Sequence, residues 1–291
     1  MRHLSPFHGL TLFFLAGLIL LAFFFRGKIP HWHSLILRYS LWIGLLFAIR
    51  VACDQKAAAR LRELIHTFSP LLFIVLIYES LGDLIQYLHP DIDPTLIRMD
   101  RFLFGVDPTI WMQHWIVPWL TDLLSLAYLS YYFLPFTLVL VLYIKNRPGL
   151  YPAIFVLTLG YYVSFIGYIL FPAVGPRYAM TSLYTVPLEG SFLTDFVRDG
   201  LNAIEHNKRD CMPSGHTQIA LTVLYLGYRY EKAIFYVFLP VVCGLVFSTV
   251  YLRYHYVVDL FVGAAIAVAT VAIGPPLYGW WNEERKGGET G

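Results

Sequence analysis

The stretch KRDCMPSGHTQIA, residues 208–220, changes from charged to apolar within a few positions. Three charged residues precede Pro213-Ser214-Gly215-His216, and apolar residues resume shortly after it. Proline is favoured at the first position of a helix because its missing N–H would have no partner there. Pro213 therefore predicts the start of a helix with a polar first turn and an apolar body.

The composition of the whole chain indicates an integral membrane protein. Of its 291 residues 58% are hydrophobic and 14% are charged, whereas soluble domains carry about 25% charged residues. A net charge of +2 with no dense basic run excludes a nucleic-acid partner. Three cysteines without Cys-x-x-Cys spacing predict neither a disulfide framework nor a zinc knuckle.

Hydropathy predicts an all-α, polytopic membrane helix bundle of about eight spans, because a span needs about 20 mainly apolar residues. The first apolar run lacks a small-residue cleavage site before Arg26 and Lys28, so we interpret it as a retained span and not a signal peptide. The predicted spans are 9–25, 35–53, 70–88, 119–144, 150–171, 214–230, 233–252 and 255–277.

Hydropathy also divides the chain into three parts. Residues 1–68 hold two N-terminal spans and an amphipathic surface segment at 54–68. Six spans lie within residues 69–279, and residues 280–291 form a polar C-terminal tail. No internal repeat or soluble domain interrupts them.

Alternation of the spans predicts the orientation in the cell membrane. Lys and Arg on the side of both termini are concentrated in short loops, which is typical of the cytoplasmic face. The opposite side carries the long polar stretch 172–212 and is expected to face the periplasm or the cell exterior.

Alternation also brings four span ends to that opposite side. They are the end of the fifth span, the start of the sixth, the end of the seventh and the start of the eighth. Arg177, His216, His255 and Asp259 lie at or beside these ends. The first turn after Pro213 offers free amides and the positive end of the helix dipole, and Gly215 allows close approach of an oxygen. This pattern predicts a phosphate site, although a helix cap with a surface histidine is the simpler alternative.

His255 and Asp259 are four residues apart, which places them on one face of a helix. The carboxylate would then take the proton of one ring nitrogen and leave the other lone pair free as a nucleophile or base. The alternative is a polar pair at the membrane interface. Arg177 supplies a planar guanidinium group that can donate two hydrogen bonds to phosphate oxygens.

Three motifs together resemble the type 2 phosphatidic acid phosphatase superfamily. Its pattern is Lys-x6-Arg-Pro, then Pro-Ser-Gly-His, then Ser-Arg-x5-His-x3-Asp. The second part is intact at residues 213–216, and the third corresponds to STVYLRYHYVVD at 248–259, with Ser248, His255 and Asp259 in register. The resemblance covers residues 70–277 and implies a six-helix catalytic core.

Three positions depart from that pattern. Leu170 and Thr249 stand where the family has cations, and Tyr178 stands where it has proline. Lys208 and Arg209 are the leading candidates to replace the missing cations, ahead of Arg253. The GPRY and YHYVVDLFVGA stretches are closer to the inositol phosphorylceramide synthase-like branch.

The resemblance also implies roles for individual residues. His255 would attack phosphorus to form a phosphohistidine, and Asp259 would orient it. His216 would protonate the leaving alcohol and later act as base. Arg177, the Ser214 hydroxyl and the amides of Gly215 and His216 would hold the phosphate oxygens. The scheme requires no metal or cofactor.

The favoured function is a membrane enzyme that hydrolyses the phosphoester or diphosphate of a lipid phosphate. One alternative is a phosphotransferase that passes a phospho-headgroup to an alcohol. Another is a lipid transporter or scramblase, which would form no covalent intermediate. A metal hydrolase would use His216, His255 and Asp259 as ligands.

Overall fold

The computed structural model describes residues 4–54, 59–204 and 206–287. These residues form α-helices and short 3-10 turns, with no strand among them, so the all-α prediction is confirmed. The helices are α1 (Pro6–Phe24), α2 (Trp32–Asp54), α3 (Ala59–Ile85), α4 (Asp93–Phe104), α5 (Pro108–Trp111), α6 (Pro118–Leu129), α7 (Leu134–Ile144), α8 (Leu150–Leu170), α9 (Pro176–Ala179), α10 (Thr194–Ile204), α11 (Gly215–Tyr230), α12 (Lys232–Tyr251) and α13 (Val257–Gly287).

Six of these helices, α1, α2, α3, α8, α12 and α13, are long and apolar enough to cross a membrane. The chain is therefore a multi-pass membrane protein. A count of eight spans is not confirmed. The sixth predicted span corresponds to α11, whose 16 residues extend about 24 Å at 1.5 Å per residue, short of the roughly 30 Å hydrocarbon core.

The fourth predicted span, 119–144, is not one straight helix. Helix α6 gives way to a 3-10 turn at Ser130–Tyr132, and α7 then leaves at an angle of 52°. Pro135 lies in the first turn of α7, and proline has no N–H with which to continue the hydrogen-bond ladder of a preceding helix. The two helices together give at most a seventh span.

Two polar segments are helical where the sequence suggested separate surface pieces. Residues 59–68 of the expected amphipathic segment continue without a break into α3, which accommodates Pro70 in its interior. Residues 280–287 of the expected tail continue α13. Residues 55–58 and 288–291 lie outside the described residues.

Helix α11 lies at the centre of the bundle and packs against α7, α8, α12 and α13. Its apolar face, represented by Ile219, Val223 and Leu226, is buried against the largest core cluster. A second apolar cluster joins α1, α2 and α3 to α8. Because neighbours surround α11, its polar first turn with His216 is fixed within the bundle.

A charged clamp closes the opposite end of α11. Glu231, between α11 and α12, accepts hydrogen bonds from Arg147 Nε and Nη2 at 3.0 and 2.7 Å. Lys145 Nζ lies 3.2 Å from the same carboxylate. The hydrogen bonds from Arg147 and then Lys145 lower the pKa of Glu231. The clamp therefore ties the end of α11 to the α7–α8 connection.

We expect Glu231→Gln to lower the thermal unfolding midpoint in detergent, because the substitution removes the charge that both cations contact. A carboxyl with a lowered pKa stabilises the fold above its unfolded-state pKa, and this contribution is lost as the pH falls through the folded-state pKa. The difference between wild type and variant should therefore shrink in acid. Glu283→Gln, at an exposed position of α13, is the matched control. Equal midpoints for the two variants at neutral pH would contradict the clamp.

Candidate active site

Three polar segments meet beside the first turn of α11. The N–H of Ser214 donates to the carbonyl of Asp259 at 3.2 Å, and the N–H of Cys211 donates to the carbonyl of Ala173 at 3.2 Å. The N–H of Arg177 donates to the carbonyl of Arg253 at 2.7 Å. The end of α8, the start of α11 and the α12–α13 connection are thus joined through their backbones.

Two histidines face each other at this junction. His216 Nδ1 lies 3.2 Å from His255 Nε2, and both side chains are buried, at 7% and 3% exposure. His255 Nδ1 lies 2.9 Å from the carbonyl oxygen of Cys211. A carbonyl oxygen only accepts hydrogen bonds, so His255 Nδ1 carries the proton. The lone pair of His255 Nε2 is therefore directed at His216.

Asp259 is placed differently from the sequence expectation. Its Oδ2 lies 3.6 Å from His255 Nδ1 and accepts hydrogen bonds from Cys211 Sγ at 2.8 Å and from the N–H of Tyr256 at 3.0 Å. The N–H at His255 Nδ1 donates its hydrogen bond to the Cys211 carbonyl instead. The reason is that α13 begins at Val257, so His255 precedes the helix and the four-residue spacing does not align the two side chains. Burial raises the pKa of the Cys211 thiol, which is consistent with its role as a donor to Asp259.

A void of about 30 Å³ adjoins the histidine pair, and we call it the histidine pocket. Its walls include Arg177, Lys208, Asp210, His216 and His255. Arg177 Nη1 donates to the hydroxyl of Tyr254 at 3.1 Å. The structure therefore brings two cations, Arg177 and Lys208, to the histidine pair.

Besides Asp259, three sequence-predicted residues do not line this pocket. Arg209 pairs with Asp91 through contacts of 2.6 and 3.2 Å. The Ser214 hydroxyl caps α11, accepting the N–H of Thr217 at 3.2 Å. Gly215 is buried against the Tyr168 hydroxyl, which any side chain at position 215 would overlap.

The positions where the family pattern has cations also lie away from the pocket wall. Leu170 is 52% exposed at the end of α8. Thr249 is buried in α12, where its hydroxyl donates to the carbonyl of Val246 at 2.7 Å. Arg253 contributes to an adjoining cavity and not to the histidine pocket. Of the candidate replacements, Lys208 is the one that reaches the pocket.

Sequence reasoning missed two acids of α4 that position the site. Asp93 accepts the N–H groups of Val174 and Gly175 at 3.0 and 2.8 Å, and the hydroxyl of Tyr256 at 2.9 Å. Asp100 accepts the first two amides of α13 at 2.9 Å each. Burial raises the pKa of Asp100, and these two N–H groups oppose that shift. A seven-residue spacing places both acids on one helix face, a signal that was present in the sequence.

Gly175 is required at the turn that carries Arg177. Its φ is +84°, in the region that side chains rarely adopt, and a Cβ there would lie 2.5 Å from the carbonyl oxygen of Tyr254. The close approach of this turn to the α12–α13 connection is therefore possible because glycine has no side chain.

Asp210 is a third residue that sequence reasoning did not place in the site. The hydroxyl of Tyr78 on α3 donates to its Oδ2 at 2.6 Å. Burial raises the pKa of Asp210, while this hydrogen bond and the nearby His255 lower it. The net shift is upward, so the carboxyl stays neutral to a higher pH than usual.

We expect the KM for a phosphate substrate to rise as the pH rises through the pKa of Asp210, because the ionised carboxylate repels phosphate. Asp210→Asn should remove this component and lower the KM at alkaline pH by about tenfold, equivalent to ~1.4 kcal/mol. The measurement is KM against pH for wild type, Asp210→Asn and the exposed control Asp199→Asn. A KM profile unchanged in Asp210→Asn would show that this carboxyl does not face the bound phosphate.

Comparison with known proteins assigns the family. The profile of the PAP2 superfamily matches residues 94–273, more than half of the chain, and this range includes all five named residues of the histidine pocket. The chain belongs to the PAP2 superfamily. A PA-phosphatase related-family protein of Dictyostelium discoideum is 28% identical over 117 residues, which cover 39% of this chain and 21% of that protein. The chain thus spans about a fifth of that relative's length, and no solved structure matches it.

The geometry of this PAP2 superfamily member also bears on the metal alternative. Among the described residues, Cys211, His255 and Asp259 bring potential ligand atoms within 4.8 Å of one another. The Cys211 thiol already donates to Asp259, and His255 Nδ1 already donates to the Cys211 carbonyl. His216, the third ligand of that alternative, faces His255 Nε2 instead. These atoms are arranged as a hydrogen-bond network around one histidine.

Proposed function

We propose that the protein cleaves the phosphoester or diphosphate bond of a lipid phosphate through a phosphohistidine at His255. Membership of the PAP2 superfamily supports phosphatase-type activity on lipid phosphoesters in general. The observation that carries the finer proposal is the 3.2 Å separation of His255 Nε2 and His216 Nδ1, with the lone pair of His255 directed toward His216.

In the first step His255 Nε2 attacks phosphorus, and the bond from phosphorus to the lipid oxygen breaks. The leaving oxygen takes a proton from protonated His216. The Nδ1 proton of His255 stays on Nδ1 and remains hydrogen-bonded to the Cys211 carbonyl, so positive charge that develops on the ring is stabilised by that carbonyl and by Asp259. The phosphate replaces the direct contact between the two rings, since catalytic hydrogen bonds often rearrange when substrate binds.

Arg177 and Lys208 bind the non-bridging oxygens of the phosphate. Transition-state charge in phosphoryl transfer lies on these oxygens, and donors fixed in a site that excludes water stabilise it most. Arg177 is held by its backbone bond to Arg253 and its side-chain bond to Tyr254. Lys208 Nζ lies 5.7 Å from the centre of the Tyr178 ring, which holds the ammonium group beside the pocket.

In the second step an acceptor hydroxyl gives its proton to His216 and attacks the phosphohistidine, and the phosphorus–nitrogen bond breaks. Water as the acceptor makes the protein a phosphatase. An alcohol as the acceptor makes it a phosphotransferase. A cavity beside the histidine pocket, lined by both charged and apolar side chains, leaves room for an alcohol acceptor.

The site would act at the periplasmic or outer face, with both termini in the cytoplasm. The basis is the concentration of Lys and Arg in short loops on the side of the termini. The clamp residues Lys145 and Arg147 belong to that group, and Glu231 ties them to the end of α11 opposite His216. Substrate would then enter from the outer leaflet.

We expect His255→Ala to lower turnover of phosphatidate and polyprenyl diphosphate in detergent micelles by at least about a thousandfold, as removal of a nucleophile does in other enzymes. Inorganic phosphate and any transferred phosphate ester should both be quantified. His114→Ala, at an exposed position outside the pocket, is the matched control. Turnover that survives His255→Ala would refute the proposed nucleophile.

The same assay should be repeated after treatment with a strong chelator. The proposed chemistry uses only side chains, so we expect activity to be retained. Loss of activity that returns on addition of a divalent cation would favour the metal hydrolase.

A further inference from the structure

Asn207 is a wall residue of the histidine pocket to which the mechanism above gives no role. The residue is 2% exposed, and its Oδ1 accepts the N–H of Arg209 at 3.0 Å. Its Nδ2 is buried and has no hydrogen-bond partner among the described residues. A buried donor without an acceptor is unfavourable, and such groups are rare in folded proteins. Asn207 therefore holds an unused donor at the wall of the pocket.

The orientation of the Asn207 amide is fixed by its neighbours. The N–H of Arg209 only donates, so the end of the amide that faces it is the oxygen, and the other end is the NH2 group. The guanidinium of Arg209 is in turn anchored on Asp91 through contacts of 2.6 and 3.2 Å. Exchange of the two ends of the amide would place one donor against another. The free end of Asn207 is thus a donor and not an acceptor.

Helix α3 supports the backbone at this position. A Cβ at Gly82 would lie 3.1 Å from the carbonyl oxygen of His206 and 3.2 Å from the Cα of Asn207, so the chain packs directly on the glycine. His206 Nε2 lies 3.0 Å from Oδ1 of Asp83, the next residue of α3. Helix α3 precedes the range 94–273 that matches the family profile. The support of Asn207 therefore comes from a part of the chain outside that range.

The chemistry of phosphoryl transfer gives the donor a use. Charge in the transition state lies on three non-bridging oxygens, and Arg177 and Lys208 are the cations that line the pocket. Leu170 and Thr249 supply no charge where the family pattern has cations. A neutral side-chain amide binds such an oxygen in the oxyanion holes of some proteases. Asn207 directly precedes Lys208 in the chain, so the two donors belong to one short segment of the wall.

We propose that Asn207 Nδ2 donates a hydrogen bond to a non-bridging oxygen of the phosphoryl group. The inference rests on the proposed function. Entry of the phosphoryl group separates the rings of His216 and His255, whose nitrogens are 3.2 Å apart, and this widening of the pocket gives the oxygen access to Nδ2. No proton is transferred to or from Asn207. A donor whose orientation is set before the reaction stabilises the transition state without further reorganisation.

The simpler alternative is that Asn207 only shapes the loop. A hydrogen bond from a backbone N–H to the side-chain oxygen two residues earlier is an Asx-turn, and aspartate forms the same turn. That role uses Oδ1 and gives Nδ2 no part. Asn207→Asp therefore separates the two roles, because it keeps an oxygen for the N–H of Arg209 and replaces the donor with a second oxygen.

Three variants test the inference in detergent. Asn207→Asp removes the donor alone, and Asn207→Leu replaces the amide with an apolar side chain of similar size. Asn146→Asp makes the same chemical change at an exposed position of the α7–α8 connection, outside the pocket, and is the matched control. The thermal unfolding midpoint of each variant establishes that it is folded.

The first measurement is the affinity for orthovanadate, an inorganic phosphate mimic that takes five ligands as phosphorus does during transfer, by isothermal titration calorimetry. A hydrogen bond to a charged group changes an affinity by about tenfold or more. We therefore expect binding at least about tenfold weaker in Asn207→Asp and Asn207→Leu, and wild-type binding in Asn146→Asp.

The second measurement is turnover of phosphatidate in detergent micelles. We expect kcat to fall about a hundredfold in both Asn207 variants, with a smaller change in KM, because loss of one preorganised donor to the transition state has an effect of this size. A role confined to the Asx-turn predicts wild-type kcat in Asn207→Asp.

Wild-type orthovanadate affinity and kcat in Asn207→Asp overturn the inference, as does an absence of orthovanadate binding by wild type. Wild-type values in folded Asn207→Leu overturn it even where the aspartate variant does not fold. Turnover that depends on His255 but not on Asn207 removes only this inference and leaves the proposed function intact. Orthovanadate binding that depends on Asn207, in a protein whose turnover survives His255→Ala, supports the donor and refutes the proposed nucleophile.

Discussion

The hydrogen bond from His255 Nδ1 to the carbonyl of Cys211, at 2.9 Å, is the contact on which the site depends. It decides which ring nitrogen carries the proton and therefore which one would attack phosphorus in the proposed mechanism. Cys211 can hold that position because its N–H bonds the carbonyl of Ala173 and its thiol bonds Asp259. Cys211, in the segment that precedes α11, thus connects the end of α8 with the start of α13. The Asp259 carboxylate accepts hydrogen bonds from the Cys211 thiol and from the N–H of Tyr256, and so holds both Cys211 and the start of α13 in place.

The helix bundle makes this arrangement possible because it buries the end of α8, the start of α11 and the start of α13 side by side. The first amides of a helix need partners outside it, and here Asp100 satisfies those of α13. Asp93 does the same for the turn before Arg177. Both acids lie on α4, a short helix that packs against α13. The apolar clusters hold the spans, but the orientation of the site depends on these two carboxylates.

Hydropathy was enough to predict a bundle of apolar helices, and alternation predicted that distant polar residues would gather at one end of it. Long apolar runs predicted the helices, and alternation predicted that His216 and His255 would emerge on one side. The sequence could not predict contacts between residues that are far apart in the chain. Asp91, far from position 209 in the chain, decides that Arg209 forms an ion pair. The start of α13 at Val257 leaves Asp259 Oδ2 3.6 Å from His255 Nδ1, farther than the Cys211 carbonyl at 2.9 Å. Continuous hydropathy over 119–144 gave no sign of the bend before α7.

The central claim is that His255 takes the phosphoryl group covalently. The most direct measurement is the intact mass and peptide map of enzyme quenched in alkali within milliseconds of mixing with substrate, since phosphohistidine is stable in alkali. The account predicts one added phosphoryl group on the peptide containing His255, formed and lost at rates compatible with turnover, and none in His255→Ala. Turnover with no phosphoryl adduct, or with the adduct on another residue, would contradict it.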